Sequence, residues 1–177
     1  MAPAIRPALL GDVDAIAAAH VAAWREAYRG LLPDSVLADL SVPGRAQQWR
    51  QTLTRRISVV FVADGREGEV VGFVSGGPRR SGGLRGEAEI YALYVRAELQ
   101  RQGLGRGLMR AAAAALAARG FASLGLWVLR GNAAGRAFYQ HIGGTLGGER
   151  QDKEAGHVID EVAYEWPDLS ALVGESR

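Results

Sequence analysis

Along the first third of the chain, apolar residues recur every three to four positions. Asp12 suits an N-cap, and Ile16, Ala19, His20, Ala23, Trp24 and Ala27 then share one face. That spacing predicts an amphipathic helix, which Gly30 and Pro33 stop. A short strand over Ile5 to Leu9 precedes it. Asp34 to Leu40 reads as a short second helix, and Pro43 to Arg55 as a third, with Trp49 and Leu53 on one face. The pattern then changes. Ile57 to Ala63 is β-branched and aromatic, Asp64-Gly65 opens a turn, and Val70 to Gly76 continues as a second strand, so the two form a hairpin. A glycine-rich loop at 76–86 leads into a strand over Glu87 to Val95. An alanine-rich helix over Leu104 to Arg119 follows, ended by Gly120. Phe121 to Leu129 reads as a strand, Asn132 to Ile142 as a helix, and 145–150 and 158–166 as closing strands. Strand and helix alternate in the second half, which requires crossovers and some parallel pairing, whereas the hairpin is antiparallel. The expectation is a mixed α/β fold whose sheet carries helices on both faces.

The chain has 177 residues, enough for one domain over 1–177 that buries roughly 70% of its unfolded surface. With 48% hydrophobic and 23% charged residues, it has the composition of a globular protein. There is no cysteine, which excludes disulfides, thiolate catalysis and cysteine-type zinc sites. His20, His141 and His157 show no metal-ligand spacing, so no metal is expected. Net charge is +2 although the sequence pI is 9.3. The two agree because Lys153 is the sole lysine and the other cations are arginines, charged far above neutrality. Acids and bases are interspersed rather than gathered on one face, which argues against nucleic acid as a partner. No run of 18 apolar residues and no leader pattern is present, so a cytoplasmic protein without a membrane span is expected.

The most informative stretch is Gln100-Arg101-Gln102-Gly103-Leu104-Gly105-Arg106-Gly107, between a strand and a helix. Glycines let the backbone approach a ligand, and the first amides of a helix lack intrahelical partners. Those amides and the helix dipole favour an anion such as a pyrophosphate. A Walker loop would need a lysine that is missing. A dinucleotide fingerprint would need an acid about 20 residues on, near Gly125 to Trp127, where there is none. A glycine turn without ligand is the remaining alternative on this loop alone.

Gln100-x-x-Gly103-x-Gly105 resembles the Q/R-x-x-G-x-G/A signature of the GNAT superfamily of acyl-CoA-dependent N-acyltransferases. Glu89 to Val95 before it resembles that family's central strand. Asn132, Phe138-Tyr139 and Gly143 after it resemble its late helix, and Glu161 to Trp166 its last strand. Trp24 to Pro33 is similar to a recurring start among bacterial members. One departure stands out: the family usually carries an aromatic where Gly144 follows Gly143. With Gly147-Gly148, this loosens the register of that end of the sheet.

The resemblance implies a central, mixed but largely antiparallel sheet of about six to seven strands. It also implies acetyl transfer from acetyl-CoA to a primary amine of a small molecule or peptide, by direct attack in a ternary complex, and a homodimer. Coenzyme contacts are implied for Gln100, Arg101, Gln102, Gly103, Leu104, Gly105 and Arg106, and for Asn132, Tyr139 and the strand end Leu93, Tyr94 and Val95. A bulge mapped to Leu93–Val95 would free a main-chain amide for the oxyanion.

An amine of pKa ~10.4 costs ~4.6 kcal/mol to deprotonate at pH 7, so a base or water relay is needed. Glu89 is the first candidate and Glu87, its same-face neighbour, the second. The alternative is a strand-end glutamate in solvent or paired with Arg85 or Arg96. Tyr139 resembles the tyrosine that meets the departing thiolate. A phenol at ~10 is a weaker acid than a thiol at ~8.5, so a hydrogen bond to sulfur is more economical than full transfer. Asn132 also suits a helix cap. Trp24, Tyr28 and Tyr91 are candidates for the acceptor pocket, and His20, His141 and His157 are read as structural or solvated. The alternative function is a non-catalytic acyl-CoA sensor with the same fold, and a third is an interaction domain with an empty glycine turn.

Overall fold

A computed structural model of the chain describes residues 4–174. Seven strands, β1 (Ala4–Pro7), β2 (Val59–Asp64), β3 (Val70–Pro78), β4 (Ala88–Val95), β5 (Leu124–Leu129), β6 (Thr145–Glu154) and β7 (His157–Trp166), form one sheet in the order β1-β2-β3-β4-β5-β7-β6. Only β4 and β5 run parallel, and every other neighbouring pair is antiparallel. The helices are α1 (Val13–Ala27), α2 (Asp34–Ala38), α3 (Val42–Arg55), α4 (Leu104–Ala118), α5 (Ala133–His141) and α6 (Ser170–Val173).

The two faces of the sheet have separate cores. On one, α4 buries Leu108, Met109 and Leu116 against Val74, Ile90, Leu126 and Trp166. On the other, Val13, Ile16 and Trp49 from α1 and α3 cover Val62 and Phe73. Truncating a fully buried leucine such as Leu108 costs about 2–5 kcal/mol, so either core alone commands much of the net stability. Arg6 fastens the edge strand: its guanidinium bonds Asp12 at 2.8 Å and Asp64 at 2.7 Å.

Local signals set the element boundaries. Ser41 accepts the Gly44 amide at 3.1 Å and starts α3 one residue before the expected Pro43. Gly120, at φ +91°, ends α4 with paired bonds from Gly120 to Ala117 and from Phe121 to Leu116. That cap uses the Phe121 amide, so β5 begins at Leu124 rather than at 121. The β6–β7 hairpin turns on Ala155 and Gly156, both with positive φ, as a two-residue turn between right-twisted strands requires. β6 therefore runs to Glu154, beyond the expected 150. The register of β6 slips between Leu146 and Glu149, at Gly147-Gly148.

Candidate active site

β4 and β5 are paired at two positions only, Ala88 with Leu124 and Glu89 with Gly125. Beyond Glu89 the two strands separate, although β5 stays paired with β7 as far as Leu129. The Arg96 amide donates to Val71 of β3, so alternation turns the main-chain groups of Leu93 and Val95 toward the gap. Tyr94 is turned the other way, into the β3 ladder opposite Phe73. The Val95 carbonyl accepts Gln100 Nε2 at 3.0 Å, which ties the following loop to the strand end.

That loop is shaped for an anion. Arg101 and Gly103 both have positive φ, +60° and +84°. Among the described residues, none of the amides of Arg101 to Arg106 donates a hydrogen bond, and the first bonded amide is Gly107 to Gly103 O. Six consecutive free amides at the start of α4, with left-handed residues among them, make a concave donor surface. A diphosphate fits this cradle, and an amide-bearing chain fits the unpaired edge of β4.

α5 stands beside the first turn of α4. A Cβ on Gly105 would lie 3.1 Å from Phe138, so a larger residue would push the two helices apart. Asn132 Oδ1 caps α5 by accepting the Gly135 amide at 2.9 Å. Tyr139 packs between Phe138, Tyr164 and Trp166, with ring centroids 5.3–6.4 Å apart. Burial pushes its phenol up to about 12. Its hydroxyl makes no hydrogen bond among the described residues and is a neutral donor at physiological pH. The departure at Gly144 has a steric reason: a Cβ there would sit 2.7 Å from the Trp166 ring and 2.9 Å from the Tyr139 carbonyl.

The expected bulge lies elsewhere. Ser75 faces Ala92 while Gly76 faces Ile90, so the extra residue is Tyr91, not one of Leu93 to Val95. Gly76 and Gly77 are the reason, because Cβ atoms on them would lie 2.9 Å from the Glu89 carbonyl and 2.8 Å from the Tyr91 hydroxyl. Tyr91 donates to the Pro78 carbonyl at 2.5 Å, and the Arg80 guanidinium carbon lies 3.6 Å from its ring centroid.

Glu89 is not solvated, and it has no ion pair among the described residues. It is buried, and its carboxylate accepts the amides of Arg80 and Ser81 at 2.9 and 2.8 Å and the Ser81 hydroxyl at 2.6 Å. Oε2 takes both amides, which leaves one acceptor position open on Oε1. Arg96 is instead shared between Glu69 and Glu98, at 3.9 and 3.7 Å. Glu87 is exposed, and its carboxylate accepts the Ala122 amide at 2.8 Å, outside the gap.

Residues 80–86 form a strap across the root of the gap. Glu89 holds one end. Glu165, also buried, holds the other by accepting the Arg85 amide at 2.7 Å. Between them Leu84 fills the space above Gly125, 3.2 Å from where its Cβ would be. Sequence reading missed Arg80, Ser81 and Glu165 in this role. The only signal was polar residues inside a glycine-rich loop, which reads as a solvated turn.

Trp24 and Tyr28 stack at the end of α1 with centroids 4.8 Å apart, and Arg45 lies over Trp24 at 5.1 Å. Burial, followed by the carboxylates of Glu154 and Glu161, pushes the Tyr28 phenol up, so that end of α1 faces the β6–β7 hairpin. Arg150 on the hairpin covers the Trp127 ring at 4.3 Å and pairs with Glu161 at 2.7 Å and Asp152 at 3.1 Å. His20 accepts Trp49 Nε1 at 3.1 Å, a structural role as expected, and burial lowers it to about 4. His141 and His157 are exposed.

The model of the acetyltransferase (GNAT) family matches residues 21–144. The chain belongs to the GNAT acetyltransferases. It is 38% identical over 168 residues to the uncharacterized N-acetyltransferase YuaI of Bacillus subtilis, covering 95% of each chain. Among solved structures it resembles the ribosomal-protein-alanine N-acetyltransferase of Brucella melitensis, with TM-score 0.72, 27% identity and coverage of 92% and 98%. It shares its fold with YncA of Salmonella typhimurium, a putative acetyltransferase solved with acetyl-CoA. There the TM-score is 0.73, identity 21% and coverage 100% and 97%. This GNAT protein is thus an acetyl-CoA-dependent N-acetyltransferase, and amines are its acceptors.

Proposed function

We propose that this GNAT protein acetylates a primary amine of a small molecule or peptide by direct attack within a ternary complex. The observation that carries the reading is the coincidence, at one end of the sheet, of an unpaired β4 edge with six unbonded amides. Bound there, acetyl-CoA supplies an activated thioester carbonyl. The amides of Arg101 to Arg106 grip the diphosphate, with Arg101 and Arg106 adding charge. Leu93 and Val95 offer main-chain groups to the pantetheine arm, beside Asn132. Gln100 holds the loop in place through Val95.

Tyr139 donates a hydrogen bond to the sulfur as it departs. With its phenol at about 12 and a thiol at ~8.5, complete proton transfer would be uphill by ~5 kcal/mol, so donation without transfer is the economical route. Glu89 takes up the amine proton at the open position on Oε1, directly or through one water. Trp24, Tyr28 and Tyr91 line the acceptor side. The reading is of a cytoplasmic homodimer.

Release of free thiol from acetyl-CoA, followed with a panel of primary amines, tests the proposal. Tyr139→Phe and Glu89→Gln should each lower the rate while coenzyme binding, read as a rise in melting temperature, persists. Coenzyme binding without turnover of any amine would favour a sensor instead.

A further inference from the structure

Arg80 differs from the other cations on the acceptor side of the sheet in how it is held and in what it lacks. Arg150 is committed to Glu161 and Asp152, Arg25 donates to the carbonyls of Leu37, Ala38 and Leu40, and Arg45, which lies over Trp24, donates to Gln48 Oε1 at 3.0 Å. The Arg80 guanidinium has no ion pair and no hydrogen bond among the described residues. Its contact is with the face of Tyr91, at 3.6 Å. Yet it is not a loose surface side chain. Its backbone amide is bonded to buried Glu89, the next residue is bonded to the same carboxylate twice, and Tyr91 is fixed by the Pro78 carbonyl. Tyr91 is the bulged residue of β4, just past the last β4–β5 pair. A guanidinium stacked on a ring keeps its N–H donors free in its own plane, and that fork matches an oxyanion bidentately. Holding it in place before the ligand arrives removes much of the ordering cost of binding.

We propose that Arg80 is the acceptor-recognition residue, and that it selects primary amines carrying an anionic oxygen group, an amino-acid carboxylate above all. This deepens the amine-acetylation reading given above and rests on it. Glu89 and Ser81 are the positioning residues that set the Arg80 backbone.

Two matched probe pairs test it on the coenzyme A-loaded protein: L-methionine against L-methioninamide, and 3-aminopropylphosphonate against 3-aminopropanol. The anionic member should raise the melting temperature more than its partner and should show a KM at least tenfold lower. In Arg80→Ala that KM should rise about tenfold toward its partner's, with kcat within twofold. Arg80→Lys should recover only part, because an ammonium lacks the fork. The methionine pair alone responding identifies a carboxylate, and the phosphonate pair alone a phosphonate-type oxyanion. Equal responses within both pairs, or a preference unchanged in Arg80→Ala, would overturn the proposal. The transfer reading fails separately: thiol release would then be absent with every amine while the Arg80-dependent melting shift remained.

Discussion

Replacing Glu89 separates the strap it holds from the proton it is proposed to accept. In Glu89→Ala the amides of Arg80 and Ser81 lose their acceptor, at about 1–3 kcal/mol per buried donor left alone, or ~2–6 kcal/mol together. The strap lies at the surface, where water can reach part of it, so the lower range of ~2–4 kcal/mol applies. In a chain of 177 residues each kcal/mol moves the melting temperature by about 2–4 °C, so a fall of roughly 5–15 °C is expected. Glu89→Gln is milder. Its amide oxygen can still take both amides where Oε2 stood, and its NH2 can donate to Ser81 Oγ once that hydroxyl turns. Only the charge is lost, about 1 kcal/mol or a few degrees. Both variants lose the proton acceptor, so turnover should drop by about 10²–10⁴-fold in each. Melting curves and thiol release with one amine across pH 6–9 measure both effects. Glu89→Gln with wild-type turnover across that range would remove Glu89 from the proton path. Glu89→Gln melting as low as Glu89→Ala would refute the hydrogen-bond accounting.

Tyr139→Phe should lower turnover at least tenfold with coenzyme affinity unchanged in calorimetry, since only the hydroxyl toward the sulfur is removed. Gly103→Ala should weaken coenzyme A binding about tenfold by the same assay, because φ +84° strains any Cβ by ~1–2 kcal/mol and the free amides must shift. His20 predicts a pH effect on stability. Burial, then Arg45, lowers it from 6.5 to about 4, so between those values the unfolded chain binds the extra proton. Its contribution is complete above pH 6.5 and falls away toward pH 4, by at most about 3 kcal/mol. His20→Leu should flatten that part of the melting temperature against pH relative to wild type.

Elements with a strong period were legible in the sequence. The amphipathic spacing of α1, the alanine-rich α4 between its glycines, and the β2–β3 hairpin lie within a few residues of expectation. The shape of the glycine loop was legible too, because it is local: glycines, a helix start and main-chain amides without partners. What was not legible is long-range. The period of two along β4 is blind to the bulge, which depends on Gly76 and Gly77 of a different strand. The clamp on residues 80–86 joins positions up to 80 apart, Arg85 and Glu165, and no local pattern announces such a partner. Composition also hid that Glu89 is buried and triply bonded, since a glutamate near a strand start ordinarily faces water.

The two-rung contact between β4 and β5 has a mechanical consequence. It divides the sheet into a four-stranded plate and a three-stranded plate joined by a seam of two residue pairs. A molecule threaded into the wedge would supply missing rungs and weld the plates together. Its occupancy would therefore be written in the stiffness of the whole protein, and slowed amide exchange at Leu93 and Val95 is where that stiffening would be seen first.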